Sequence, residues 1–180
     1  MKAVRLIPIL LLVLANRCMA FDVWGFTSGE DRAAVERAAK EHGDELRQIE
    51  GLTVVNRRSP DTGAFETYHL RYCNDRLGGV TKVESFTPAG AVNELSDLIG
   101  RYGAPQVSAD ENTIHSFTDF VVKEVKYAWR PKNDEVLLTM NLPAAQGLKL
   151  EPGMTLSMTL IYGDTAVCGS AAPAQSAPHD

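Results

Sequence analysis

The sequence predicts an α+β fold: two α-β-β-β repeats of about 60 residues, forming an antiparallel sheet packed on two helices, with an extra C-terminal strand. Placing each residue over the one sixty positions later aligns Phe26-Thr27 with Phe86-Thr87 and Gly43 with Gly103. Apolar residues at helical spacing follow each Phe-Thr pair, and alternating runs broken by turn formers follow each glycine.

Lys2 and Arg5 precede an apolar stretch, Leu6 to Ala15, that is too short to span a bilayer. With Ala20 as the small residue at its end, the segment 1–20 reads as a signal peptide cut before Phe21. Asn16-Arg17 departs from a lipidation box at Cys18. The new end, Phe21 to Phe26, is unusually aromatic and reads either as a packed edge segment or as an exposed contact.

Repeat one covers 21–85. Its helix is expected to start at Thr27 or Ser28, with Asp31 at capping-box spacing, and to carry the stripe Val35, Ala38, Ala39 and His42 before Gly43. Leu52–Arg58 reads as a short strand, and Phe65–Cys73 as a strand with Phe65, Thr67, His69, Arg71 and Cys73 on one face and Glu66, Tyr68, Leu70 and Tyr72 on the other. Asn74-Asp75 closes a hairpin into Leu77–Glu84, since both residues tolerate positive φ. Repeat two covers 86–168. Thr87 caps its helix, Pro88 fills the first turn, and Leu95, Leu98, Ile99 and Tyr102 form the stripe. A weak strand at Thr113-Ile114 is followed by Lys123–Arg130, a turn at Pro131–Asp134 and Val136–Leu142. Pro152-Gly153 introduces the extra strand 155–162, and 169–180 has too few apolar anchors to pack and reads as a disordered tail.

Removing the leader leaves two cysteines, Cys73 and Cys168, in a chain addressed to an oxidising compartment, so a disulfide is expected. Closing so long a loop contributes about 4 to 5 kcal/mol in the loop-entropy model before strain is subtracted. Neither cysteine sits in a CxxC or beside a histidine, which argues against a reactive thiol.

Cleavage takes away three cations and no acid, leaving fifteen Lys and Arg against twenty-three Asp and Glu. A nucleic-acid partner, which needs a basic face, is therefore disfavoured. No segment of the mature chain is long and apolar enough to span a membrane. GxSxG, Ser-x-x-Lys, HExxH and a phosphate-binding glycine loop are all missing from the sequence. His42, His69, His115 and His179 lie far apart, so no metal and no cofactor is expected, and His69 reads as cross-strand packing. Glu30-Asp31 suit a first helical turn, and Met154 and Met158 suit core filling rather than copper ligation. No catalytic residue is expected. The candidates left for a partner-binding face are Tyr68, Leu70, Tyr72, Tyr127 and Trp129, because aromatics dominate interface energetics.

The run Gly29-Glu30-Asp31-Arg32-Ala33-Ala34-Val35, with Gly103-Ala104-Pro105 after the second helix, resembles the helix entry and exit of small periplasmic domains of the BamE lipoprotein type. The tandem arrangement is similar to the secreted β-lactamase inhibitor protein. Gly43-Asp44 lacks the proline of that pattern. The resemblance implies a non-enzymatic module offering a sheet face to a protein partner, in the periplasm or secreted. A periplasmic small-molecule or metal-binding protein and a hydrolase with a convergent site are the alternatives. Oligomeric state and partner identity are open.

Overall fold

A computed structural model describes residues 20–49, 51–59, 63, 65–114, 120–132, 134–143 and 156–169. The expected signal peptide but for Ala20, the expected disordered tail beyond Gly169, the expected Pro152-Gly153 turn, Met154, His115 and His179 lie outside the described residues. A two-strand hairpin, β1 (Asp22–Val23) and β2 (Phe26–Thr27), precedes α1 (Arg32–Glu41). Four strands follow: β3 (Glu45–Ile49), β4 (Leu52–Arg58), β5 (Phe65–Cys73) and β6 (Arg76–Ser85). Then come α2 (Pro88–Tyr102), β7 (Gln106–Ile114), β8 (Phe120–Trp129), β9 (Asp134–Pro143), β10 (Ser157–Asp164) and the one-turn α3 (Thr165–Cys168).

The eight long strands form one antiparallel sheet in the order β3-β4-β5-β6-β10-β9-β8-β7. It is therefore two four-strand meanders, each preceded by a helix, whose last strands meet from Ser157↔Ser85 to Gly163↔Gly79. The expectation of an α+β fold with a sheet packed on two helices is corrected by this sheet: the described residues are mostly β, with three short helices. Three features produce the difference. Glu45–Ile49 and Gln106–Ile114 are too polar to announce strands, but β4 and β8 supply the hydrogen-bonding edges on which they form. The first helix is also shorter than expected. Phe26-Thr27 belongs to β2 and Asp31, without a side-chain cap bond, precedes Arg32, whereas Thr87 accepts from Gly90 N as expected of a cap. Finally, the sixty-residue offset holds for the helices and slips for the strands. The hairpin β5-β6 corresponds to β9-β10 and not to β8-β9, and the expected extra strand, 155–162, is the fourth strand of its meander, Ser157–Asp164.

Alternation along each strand divides the sheet into two faces. Val55, Tyr68, Leu70, Val80, Leu160, Tyr162, Val136, Leu138 and Trp129 share one face and belong to a single buried cluster with Val35 and Ala39 of α1, Ala91 and Leu98 of α2, and Phe21 and Phe26. The aromatic amino-terminal segment thus packs inward, with Phe21 and Phe26 at 4% and 2% exposure. The opposite face, carrying Thr67, His69, Thr81, Ile161 and Leu137, is half-exposed.

Cys73 and Cys168 are bonded, with Cα atoms 5.3 Å apart, as expected. The bond links the end of β5 to α3. Register slips between Arg71 and Tyr72, skipping Gly78 on β6, and a Cβ at Gly78 would overlap Cys168 Sγ, so the bulge glycine makes room for the disulfide. Asn74 and Asp75 adopt φ of 52° and 58°, the positive values anticipated for the β5-β6 turn. No described helix is long and apolar enough to cross a membrane.

Candidate functional site

The residues singled out as a binding face lie on the packed side of the sheet. Tyr68, Leu70 and Trp129 are 2%, 1% and 3% exposed, and Tyr72 and Tyr127 are partly buried against the same cluster. They are brought together, but their apolar surface is spent on the core: Tyr68 meets Trp24 at a tilt and Phe26 edge-on, and Trp129 Nε1 donates to Gly103 O at 2.8 Å. Alternation identified the shared face of Tyr68 and Leu70. Which side would be covered depends on where the helices pack.

Two features stand out that the residue-by-residue reading missed. On the open face, Leu52, Phe65 and Val83 are exposed large apolar residues, Phe65 to 71%. Phe65 pairs with Arg58, and Thr67 with Val83. Arg71 lies flat over the adjacent backbones of Gly79 and Gly163, within 3.3 Å and 3.6 Å of where their Cβ atoms would stand, and has no hydrogen bond or ion pair to a described residue. Two cations, Arg58 and Arg71, and three exposed apolar side chains therefore stand on the β4-β5-β6 part of this face. Its other end is balanced: Lys126 pairs with Glu124 at 2.7 Å, and Arg130 with Glu135 at 3.5 Å. His69 stands between Val54 and Thr81 on the same face.

On the packed face, one cluster of charge centres on Lys82. Lys82, with a side chain 13% exposed, pairs with Glu66 at 3.1 Å and with Glu84, and its ammonium sits 5.6 Å and 5.8 Å from the Trp24 and Tyr68 ring centres. Burial would lower the Lys82 pKa, but the bonds from Glu84 and Glu66 outweigh it and raise the value. Burial would likewise raise Glu66, but hydrogen bonds from Tyr68, at 2.6 Å, and from Lys82 hold it below the usual range. Beside this trio, Trp24, Lys82, Glu84, Glu94, Met158 and Leu160 line a shallow crevice of about 20 Å3, room for about one water. Burial, then repulsion from Glu84, raises the Glu94 carboxyl, and it has no hydrogen bond or ion pair to a described residue. The readable signal was Lys82 and Glu84 alternating in phase with Val80, which places charge on an apolar face.

Trp24 reaches the crevice from the tip of the β1-β2 hairpin, where Trp24 and Gly25 have φ of 52° and 77°. Arg57 holds that tip, donating to Trp24 O at 2.5 Å while engaging both carboxylate oxygens of Asp44, whose side chain is 3% exposed. Among the described residues no group of three His, Cys, Asp or Glu side chains could hold a metal ion.

No family model, curated protein or solved structure matches the chain.

Proposed function

We propose that the protein is a non-enzymatic binding module, exported to the bacterial periplasm or beyond, that seats a protein partner on its open sheet face. The observation that carries this reading is the exposure of Phe65 and Val83, diagonal neighbours across β5 and β6, with Leu52 farther along β4, on one side of a sheet whose other side is packed, since exposed apolar side chains gathered on one face mark interaction surfaces. Arg58 and Arg71, without carboxylate partners among the described residues, favour a partner surface that is acidic as well as apolar. The Cys73–Cys168 bond is of the kind that persists in oxidising compartments and supports export.

Affinity capture from an envelope extract, with wild-type protein and Phe65→Asp/Val83→Glu as baits, tests the reading. A partner bound by the wild type should be lost by at least about tenfold with the variant, given that a buried aromatic anchor contributes 2 kcal/mol or more. The variant should melt within a few degrees of the wild type, since the substituted side chains are in solvent. Equal recovery of every partner by both folded baits would remove the open face as the binding surface.

A further inference from the structure

Resting on the open-face reading, we infer that the partner seated there is a second copy of this chain, the two sheets stacking open face to open face about a two-fold axis that runs along the β6-β10 seam.

The face carries both a surface and its complement. Strand pairing puts Arg58 and Arg71 of the β3–β6 half on the same side of the sheet as Asp110, Glu124 and Glu135 of the β7–β10 half. Among the described residues of the first half, Arg47 is matched by Glu45, while Arg58 and Arg71 have no carboxylate, so this half is net positive. In the second half the three acids meet two cations, Lys126 and Arg130, so it is net negative. Apolar side chains are offered by both: Phe65 and Val83 stand in solvent on the first, and Leu137 and Ile161 are half-exposed on the second. An axis along the seam lays each positive half over the negative half of the other copy, and two-fold symmetry makes every such attraction twice. An axis across the strands would set cations on cations. Along the seam itself, Gly79 and Gly163 are paired and Arg71 lies flat over them, which keeps the face low where a second sheet must approach to about 10 Å.

The size of the face fits this partner. Eight strands about 4.8 Å apart and about eight residues long present about 1,000 Å2, and a stable interface buries about 800 Å2 on each side. The sheet edges are poor competitors, because β3 carries Glu45 and Arg47 and β7 carries Asp110 and Glu111, and charged edge strands resist edge-to-edge pairing.

Sedimentation equilibrium of the purified protein is the test. A dimer with a dissociation constant of about 10 μM is expected, weakening at least about fivefold between about 0.05 M and 0.5 M salt. Arg58→Glu/Arg71→Glu makes both halves acidic, and Asp110→Lys/Glu135→Lys makes both cationic. Each variant alone should dimerise at least about tenfold more weakly, and the two mixed should associate about as tightly as wild type, a recovery that a damaged fold does not produce. Wild-type protein still monomeric at about 200 μM overturns the inference; loss of a captured partner by Phe65→Asp/Val83→Glu would then leave the open face as a surface for a different protein. A dimer indifferent to salt, unchanged in both charge variants, or not restored in the mixture would equally overturn it. The salt series uses wild-type protein and decides the matter whether or not a variant folds.

Discussion

Asp134 faces Asp164 directly across the β9-β10 pairing, and Asp164 is 4% exposed with Oδ1 accepting from Ala166 N and Val167 N at the start of α3. Burial, then repulsion from Asp164, pushes the Asp134 carboxyl up to about 6. Between pH 4 and 6 the folded chain therefore holds a proton that the unfolded chain has released, so this residue's contribution to stability is present below about pH 4 and is lost as pH rises to about 6. Asp134 is partly exposed, and screening reduces the effect to about 1 kcal/mol. Asp134→Asn should thus stabilise the protein by about that amount at pH 7.5 and by almost nothing at pH 4. Urea unfolding of both proteins at the two pH values measures it; an asparagine variant less stable than wild type at pH 7.5 would contradict the assigned repulsion.

Among the elements, the β1-β2 hairpin is held mainly by groups distant in sequence. Arg57 links Asp44 to Trp24 O and lies 5.1 Å from the Phe26 ring centre, so one guanidinium joins the β3 approach, β4 and the hairpin tip. Asp44→Asn leaves a partly buried cation with a weaker acceptor and should cost about 2 to 3 kcal/mol. Hydrogen exchange should show that loss as faster exchange at Ser28 N, which donates to Phe21 O, and at residues 22–27. A uniform change across the sheet with no excess at the hairpin would mean that Arg57 does not clamp it. Element types were legible where periodicity was strong: α2 with its Thr87 cap, β5 with its alternation, and the Asn74-Asp75 turn all follow from local chemistry. β3 was not legible, because Glu45, Arg47 and Gln48 carry no strand pattern and only the β4 edge selects an extended conformation for them. The crevice was hidden for a related reason: Trp24, Lys82 and Glu94 belong to three elements, and nothing in their spacing brings them together.

For the molecule as a whole, the decisive seam is the β6-β10 pairing, where the two meanders meet. The Cys73–Cys168 bond clasps this seam by fastening β5 to α3, which extends from β10 and also contacts β6. Cys73→Ala/Cys168→Ala should lower the free energy of unfolding by about 2 to 4 kcal/mol, measured by guanidinium denaturation without reductant. A loss below about 1 kcal/mol would show that the seam holds without its clasp. The cysteine pair and the helix 88–102 were readable from the chain alone, since they rest on residue identity and local periodicity. Which side of the sheet faces solvent was decided by tertiary packing. Tyr68, Leu70 and Trp129 carry the same surface chemistry whether buried or exposed, and only the placement of the helices and the amino-terminal hairpin over one face turned those residues inward and left Phe65 and Arg71 to solvent.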